Sequence, residues 1–368
     1  MNFNKGLIYK IIDNKNNILQ LLNLNLNKQE FNILYHAINL NYSLKELYLY
    51  SIQLEDITLL CKSLENNSCL EKLDLSDNQI KDINSLKFLS NSCLKKVNLS
   101  KNKIKNITPL KFLSNSCLEC LDLYGNQIED ITPLKFLENS YLQELYLINN
   151  QIKNITPLKF LSKSCLKILS LSNNQIEDIT PLKYLENNSC LEYLDLSWNQ
   201  IEDITPLKFL ENSCLQKLFL SWNQIEDITP LKFLSNSCLQ ELYLSSNQIK
   251  DITPLKYLSN SCLQELYLNN NNKIEDLTSL KFLSNSCLKK LYLCNNQIMD
   301  LSFLKFLENN SCLQELYLNF NQIKDLTPLK FLSNSCLKEL DLSNNQIKNK
   351  DKQKIKELSK LKQIVIDI

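Results

Sequence analysis

The side chains of this sequence that could do chemistry recur in rows along the chain and do not gather into a catalytic set. One histidine, His36, is present, which excludes triads and metal sites built on several histidines. The two glycines, Gly6 and Gly125, are too few for a glycine-rich phosphate loop. No nucleophile is paired with a base, so we expect no enzymatic activity, no cofactor, no metal ion and no small-molecule substrate.

Cysteine forms the most regular of these rows. Of fourteen cysteines, eleven stand at one position of a repeat of 24 or 25 residues, and Tyr141 takes that position once. A residue that recurs in every repeat is typical of packing, and free cysteine behaves as a small hydrophobe, so we interpret the row as buried thiols in a reducing compartment. The C-x-x-C of Cys117 and Cys120 lies in a strand pattern and does not indicate a redox site. The row is Cys69, Cys93, Cys117, Cys165, Cys190, Cys214, Cys238, Cys262, Cys287, Cys312 and Cys336.

A lysine row is a candidate for anion binding. Its members are Lys87, Lys111, Lys135, Lys159, Lys183, Lys208, Lys232, Lys256, Lys281, Lys305 and Lys330. The alternative is a solvated face, because Glu138, Glu186, Glu211 and Glu308 lie three residues after a lysine and could pair with it on a helical turn. With 41 basic and 40 acidic residues, the chain lacks the basic excess expected of a general nucleic-acid binder.

One repeated unit must position all these rows, and Cys190–Ser213, CLEYLDLSWNQIEDITPLKFLENS, represents it. Its first part, L-x-x-L-x-L-x-x-N-x-I, alternates apolar and polar residues and predicts a short strand followed by a turn. Thr205 and Pro206 then predict a helical start, with Thr at the N-cap and Pro at the first helical position. A single unit has an apolar side and nothing of its own to cover it, so the copies are expected to stack.

The pattern resembles the leucine-rich-repeat family, and its tail, N-Q-I-x-D-I-T-P-L, is most similar to repeats of internalins and of the leucine-rich regulatory subunit of type-1 protein phosphatase. The resemblance covers about residues 44–349. It implies an α/β fold: a right-handed leucine-rich-repeat solenoid curved into an arc, with a parallel sheet on the concave face and short helical or 3-10 turns on the convex face. It implies a non-enzymatic scaffold that binds a protein partner. The alternatives are a regulatory subunit of a phosphatase or similar enzyme, and binding of nucleic acid or lipid through the lysine row.

An asparagine stands at the tenth position of each of twelve regular repeats. The chain turns sharply there, and asparagine carries both a donor and an acceptor for the inward-facing backbone groups, so we predict a structural role. Ile52 takes this position in the preceding unit, which we therefore regard as atypical. The row is Asn78, Asn102, Asn126, Asn150, Asn174, Asn199, Asn223, Asn247, Asn271, Asn296, Asn321 and Asn345.

The ends of the chain depart from the repeat. Leu22, Leu24 and Leu26 predict a strand, and Phe31–Ile38 predicts a helix in which His36 is a partly buried structural residue. A second helix is predicted over Ile57–Leu64, after a strand at Leu47 and Leu49.

Lys350–Lys360 predicts an amphipathic helix, and Leu361, Ile364 and Ile366 predict a closing strand. We therefore expect an N-terminal cap over 1–43, a repeat array over 44–349 and a C-terminal cap over 350–368. No secretion signal and no apolar run long enough to span a membrane is apparent, so we expect the protein in the cytoplasm. We also expect a monomer.

Aromatic side chains mark the expected binding surface. The leucines of each strand point inward, so the fourth, sixth, eighth and ninth positions face the concave surface or its edge. Aromatic rings fill the sixth position in five successive repeats, and both tryptophans of the chain stand at the ninth position of adjacent repeats. Stacking without any ligand is the alternative explanation for the row. We predict that a protein partner contacts Tyr193, Asp195, Trp198, Phe219, Trp222, Glu241, Tyr243, Tyr267, Tyr292, Tyr317 and Phe320.

Overall fold

The structure is a computed structural model that describes residues 17–348, except 139, 260, 272 and 309, together with 365–367. The chain divides into two compact units, residues 1–175 and residues 176–368, and each is described by itself. The helix predicted at Lys350–Lys360 lies outside the described residues, as do Leu361 and Ile364.

The described part of the first unit contains strands, two α-helices and a series of 3-10 helices. The strands are β1 (Ile18–Leu22), β2 (Glu46–Tyr50), β3 (Lys72–Asp74), β4 (Lys96–Asn98), β5 (Cys120–Asp122), β6 (Glu144–Tyr146) and β7 (Ile168–Ser170). The α-helices are α1 (Lys28–Asn39) and α2 (Thr58–Ser63), and the 3-10 helices are η1 (Asn84–Leu89), η2 (Thr108–Leu113), η3 (Thr132–Leu137) and η4 (Thr156–Leu161). Each strand pairs in parallel with the next strand along the chain.

The described part of the second unit repeats this arrangement without α-helices. Its strands are β8 (Tyr193–Asp195), β9 (Lys217–Phe219), β10 (Glu241–Tyr243), β11 (Glu265–Tyr267), β12 (Lys290–Tyr292), β13 (Glu315–Tyr317), β14 (Glu339–Asp341) and β15 (Val365–Asp367). Its 3-10 helices are η5 (Thr180–Leu185), η6 (Thr205–Leu210), η7 (Thr229–Leu234), η8 (Thr253–Leu258), η9 (Thr278–Asn285), η10 (Ser302–Leu307) and η11 (Thr327–Asn334). The strands again pair in parallel and in sequence order.

Both units are therefore solenoids of stacked rungs. From β3 onward a three-residue strand, a turn and a 3-10 helix alternate, whereas β1 and β2 have five residues and are followed by α-helices. The core consists of the aliphatic side chains that the repeat pattern predicts. In the representative rung, the exposed fraction of Leu194, Leu207 and Leu210 is 0% and that of Ile204 is 1%. Burial of one such side chain contributes about 1.5–3 kcal/mol, and every rung adds several of them.

The asparagine row has the structural role that the sequence predicts. The Oδ1 atom of Asn247 accepts a hydrogen bond from the Ile225 N–H of the preceding rung, at 3.1 Å. Its Nδ2 atom donates to the Leu220 carbonyl of the preceding rung at 3.0 Å and to the Leu244 carbonyl of its own rung at 3.1 Å. Asn247 is 7% exposed, so its side chain provides hydrogen bonds to backbone groups that water cannot reach.

The prediction that threonine caps the 3-10 helix is wrong. In the representative rung the N-cap residue is Ile204, and Thr205 is the first residue of η6. Asp203 performs the capping, because its Oδ1 atom accepts a hydrogen bond from the Thr205 N–H at 2.7 Å. Asp227 and Asp251 make the same contact to Thr229 and Thr253. The first turn thus takes its acceptor from two residues upstream.

The structure corrects two predictions about the N-terminal segment and confirms its helices. The strand β1 ends at Leu22, and Leu26 lies beyond it in the connection to α1, where it is 9% exposed. Helix α1 begins with a capping box in which Asn27 accepts from the Glu30 N–H. His36 lies on the exposed side of α1, so it is not the partly buried residue that we expected.

At the other end, β15 provides the closing strand that Ile366 predicts. The Val365 N–H donates to the Lys338 carbonyl at 2.8 Å, and the Leu342 N–H donates to the Asp367 carbonyl at 2.7 Å. These bonds satisfy backbone groups of β14, which would otherwise form an open sheet edge. The proposed boundaries at residues 43 and 349 remain predictions.

Replacement of Asn247 by leucine should lower the free energy of unfolding by about 1–3 kcal/mol, because it leaves the Ile225 N–H buried without a partner. The Leu220 and Leu244 carbonyls each lose one hydrogen bond and keep the one from Asn223 or Asn271. Urea denaturation measures the change. Asn236→Leu is the control, since Asn236 is exposed in the connection between η7 and β10, and its effect should stay within about 0.5 kcal/mol. Equal stability of Asn247→Leu and the parent protein would contradict the structural role of the row.

Candidate functional site

Five aromatic side chains form a continuous stack across β9 to β13. The ring centroids of Phe219 and Tyr243 are 4.2 Å apart, those of Tyr243 and Tyr267 4.1 Å, and those of Tyr267 and Tyr292 4.2 Å. Tyr317 continues the stack at 4.6 Å from Tyr292. Because parallel strands bring identical positions side by side, one ring per rung is enough to build the stack. The rings are half-buried.

The hydroxyl groups of three tyrosines in this stack, Tyr243, Tyr267 and Tyr317, bond to glutamates of the sheet. The Tyr243 hydroxyl donates to Glu241 at 3.0 Å, and the Tyr267 hydroxyl donates to Glu265 at 2.6 Å. Burial raises the pKa of Tyr243 to about 12, with Glu241 adding to the shift. The carboxylate of Glu241 also forms an ion pair with Lys217 at 2.7 Å. Ligand-free stacking therefore accounts for much of the row.

The two tryptophans form a separate pair in the turn that follows the strands. The rings of Trp198 and Trp222 lie 4.1 Å apart at an angle of 11°. They are 51% and 47% exposed, although an indole ring is among the largest apolar side chains. Each ring covers one face of the other and leaves the outer face of the pair to solvent.

The backbone at the tryptophans makes their presence unusual. The ninth residue of all twelve regular repeats has a positive φ, between 49° and 67°. Asparagine, aspartate or glycine fills most of these positions, as expected for the left-handed region. Trp198 and Trp222, at φ 55° and 58°, and Phe320, at φ 54°, are the aromatic exceptions. A bulky ring there costs free energy that the turn itself does not require.

The structure brings some of the predicted partner-binding residues together and separates others. Tyr193 extends the aromatic stack, with its ring centroid 5.0 Å from that of Phe219. Asp195 serves the local turn, because its Oδ1 atom accepts from the Ser197 N–H at 3.0 Å. Phe320 is 54% exposed but lies in the rung of β13, four rungs from Trp222.

The cysteine row is not buried, so that prediction is wrong. Eight thiols of the row are free and exposed. Cys165 and Cys190 are disulfide-bonded, so the expectation of free thiols throughout the row is also wrong. The leucine that follows each cysteine points into the core, as Leu215 and Leu239 do, and strict alternation directs the preceding residue outward. The exposed members are Cys69, Cys93, Cys117, Cys214, Cys238, Cys262, Cys287 and Cys336.

The lysine row lies on the 3-10 helices, and its ammonium groups contact aromatic rings. Lys208 lies 5.0 Å from the centroid of the Phe209 ring, and ten lysines of the row make this contact at 4.9–5.1 Å. Each contact contributes about 0.5–1 kcal/mol at an exposed site. The ring at the next position explains the row better than the glutamate three residues later.

An acidic groove, which the sequence analysis did not anticipate, lies in the second unit beside the tryptophan turns. It has a volume of about 490 Å³, and four carboxylates line it: Glu177, Asp178, Glu202 and Asp203. Gln200 and Gln224, each two residues after a tryptophan, complete the wall. The sequence signal is the Glu-Asp pair that recurs in three successive repeats. Acidic pairs of this kind are also typical of a solvated surface, so the pattern alone does not predict a groove.

Two other kinds of site find no support in the part of the chain that the structure describes. No cluster of three histidine, cysteine or acidic side chains is placed to hold a metal ion. No helix there combines the length and apolar character that a membrane crossing needs.

Comparison with known proteins agrees with the architecture. The family model described as leucine rich repeat matches residues 68–128, 166–225, 189–249 and 311–367, which is more than half of the chain. A second model, leucine rich repeats (2 copies), matches residues 142–184, 238–282 and 288–331. The chain therefore belongs to the leucine-rich-repeat family. No curated protein sequence matches it significantly.

Among solved structures, the chain is similar to an internalin, InlF, from Listeria monocytogenes, with 28% identity, a TM-score of 0.73, and coverage of 93% of this chain and 94% of that one. It is similar to a leucine-rich-repeat protein of Leptospira interrogans, with 25% identity, a TM-score of 0.70, and coverage of 95% and 89%. The plant peptide hormone receptor RGFR1, in complex with RGF2, shares the fold at 18% identity and a TM-score of 0.53, with coverage of 90% and 69%.

The exposed thiols should react with Ellman's reagent in the native protein at pH 8, because nothing in the fold covers them. Cys61 should react only after unfolding, since burial, with a contribution from Asp56, raises the pKa of its thiol to about 12. Mass spectrometry after labelling identifies the modified positions. Protection of Cys214, Cys238 and Cys262 in the native state would contradict their exposure.

Proposed function

We propose that this protein is a non-enzymatic scaffold that binds a protein partner on the sheet side of its second unit. The observation that carries the proposal is the stacked tryptophan pair, Trp198 and Trp222, half-exposed on a backbone conformation that disfavours it. Turn geometry disfavours this choice of residue, and the stacking of the two rings on each other still leaves them about half exposed. Contact with a partner accounts for this choice, because tryptophan and tyrosine dominate the energetics of protein interfaces.

The surroundings of the pair suit such a contact. The aromatic stack from Phe219 to Tyr317 gives a half-buried surface in which the hydroxyls of Tyr243, Tyr267 and Tyr317 already bond to glutamates. A partner that covers it would leave few buried polar groups unsatisfied. The rungs hold these side chains on short strands and turns, which reduces the entropy lost on association.

Family membership supports the same class of function. The plant receptor that shares the fold is solved with the peptide hormone RGF2, so this fold can carry a peptide-binding surface. Regulation of a phosphatase rests on the resemblance of the repeats, and no contact in the structure favours it. Anion binding by the lysine row would have to compete with the rings that the ammonium groups already contact.

We further propose that the protein works as a monomer in the cytoplasm. Eight free, exposed thiols support this location, because free thiols persist in reducing compartments, whereas the disulfide-bonded Cys165 and Cys190 do not support it. Analytical ultracentrifugation under reducing conditions tests the monomeric state, and a dimer would contradict it.

Replacement of both tryptophans by asparagine, the ninth residue of five other repeats, should separate binding from folding. Asparagine accepts the positive φ, and this gain offsets the lost ring stacking, so the free energy of unfolding should change by less than about 1 kcal/mol. Partner binding should weaken by about 2 kcal/mol or more. Affinity capture from native cells, followed by calorimetry with the captured protein, measures the loss.

Lys232→Ala, on the 3-10 side, is the control and should leave affinity unchanged. If Lys232→Ala lowers the affinity for the partner and replacement of the tryptophans does not, this proposal is overturned in favour of anion binding. A steep dependence on salt would accompany that outcome.

A further inference from the structure

The acidic groove and the tryptophan pair occupy one outward-facing strip of the second unit. In the turn of the β8 rung, Asn199 and Ile201 point inward, with exposed fractions of 8% and 0%. Alternation therefore turns Trp198, Gln200 and Glu202 outward, and all three are exposed. The β9 rung repeats the order Trp, Gln, Glu at positions 222, 224 and 226, so the strip continues from rung to rung.

Like charges accumulate along this strip. Glu177, Glu202 and Glu226 stand at the same position of successive turns, and each is followed by an aspartate that caps a 3-10 helix. Acidic side chains at the same position of neighbouring turns repel one another. Lys273 approaches Glu226 to 4.0 Å at one end of the strip, where both side chains are well exposed. A bound cation from outside the chain would relieve this repulsion.

The first unit contains the same groove with a different charge. That groove has a volume of about 420 Å³ and is lined at the equivalent positions by Glu129, Asp130, two glutamines and Pro157. Lys153 and Asn154 stand where the second unit has Glu202 and Asp203. The fold therefore tolerates a mixed groove, and uniform acidity is not a requirement of the backbone.

The tryptophans differ between the two units in the same way. Beside the first groove the ninth residues are Asn149 and Asn173, which form a hydrogen bond of 2.8 Å between their side chains. Beside the second groove they are Trp198 and Trp222. The aromatic pair and the uniform acidity thus occur together at one groove and are both missing from the other.

We propose that this strip binds a basic, arginine-bearing segment of the protein partner. The proposal rests on the proposed function and names the chemistry of the partner at that site. A guanidinium group suits it, because its planar face stacks on indole and its edge bonds carboxylates in a bidentate manner. Ser246, at the ninth position of the next rung, is too short to cover the outer face of Trp222, so that face can receive the guanidinium group. The carboxylates of the groove then bind the neighbouring basic side chains.

The chain offers a direct test, because its two tryptophans are both in the proposed site and their fluorescence reports on it alone. The probes are two blocked eight-residue peptides, one alternating arginine with serine and one alternating glutamate with serine. We expect the arginine peptide to change tryptophan fluorescence in a saturable manner, with binding that weakens as salt rises. The glutamate peptide should leave the fluorescence unchanged.

A pair of double variants separates the specific site from general charge. Glu202→Lys with Asp203→Asn gives the second groove the charges of the first, and Glu129→Lys with Asp130→Asn makes the same change of charge at the first groove. Asparagine keeps the helix cap, as Asn154 does for the Thr156 N–H at 2.9 Å, so both variants should fold. The first variant should lose at least about tenfold in affinity for the arginine peptide, and the second less than about twofold.

An equal loss of affinity for the arginine peptide in both variants would show that binding follows overall charge, and this would overturn the inference. The inference would also be overturned if the arginine peptide did not bind the parent protein. The partner captured by the parent protein distinguishes this failure from failure of the proposed function. If the tryptophan-to-asparagine variant loses that partner while Glu202→Lys with Asp203→Asn retains it, the proposed function stands and the basic segment is wrong. If neither variant loses it, both are wrong.

Discussion

The asparagine at the turn of each regular rung is the contact on which the rest of the structure depends. A leucine-rich rung cannot cover its own apolar side, and its turn leaves backbone N–H and C=O groups facing the core. One side chain, such as Asn247, joins groups from two successive rungs, so stacking satisfies the backbone and buries the leucines in the same step. The repeat is stable because stacking both completes the backbone hydrogen bonds and removes the leucines from water.

This constraint also determines what faces solvent. Once the leucines and the asparagine are fixed inward, alternation along the strand directs the remaining positions outward, and a residue repeated at one position becomes a row. The exposed thiols and the aromatic stack arise in this way. A row of identical residues therefore follows from the repeat and does not by itself indicate a function. The contacts of its side chains indicate what the row does. The lysines lie over rings, and the tyrosine hydroxyls bond to glutamates.

Function is more easily recognised where a rung departs from what its backbone favours. The ninth position requires a positive φ, which asparagine and glycine adopt readily. Trp198 and Trp222 accept that conformation and expose large rings, beside a groove whose charges are uniform where the corresponding groove of the first unit is mixed. Such departures are informative because the other rungs show what the fold alone requires.

The sequence by itself determined the repeat, its aliphatic core, the asparagine row and the order of the strands, because each depends on local alternation and on a period that the chain repeats. It did not reveal that Asp203 caps η6 or that Cys214 is exposed, because both depend on which side of the rung a residue faces after the turn. Only the tertiary structure decided that the rings stack at 4.1 Å and that Glu177 and Glu202 share a groove. Those distances arise between rungs, where residues about 24 positions apart become neighbours, and no local pattern in the sequence encodes them.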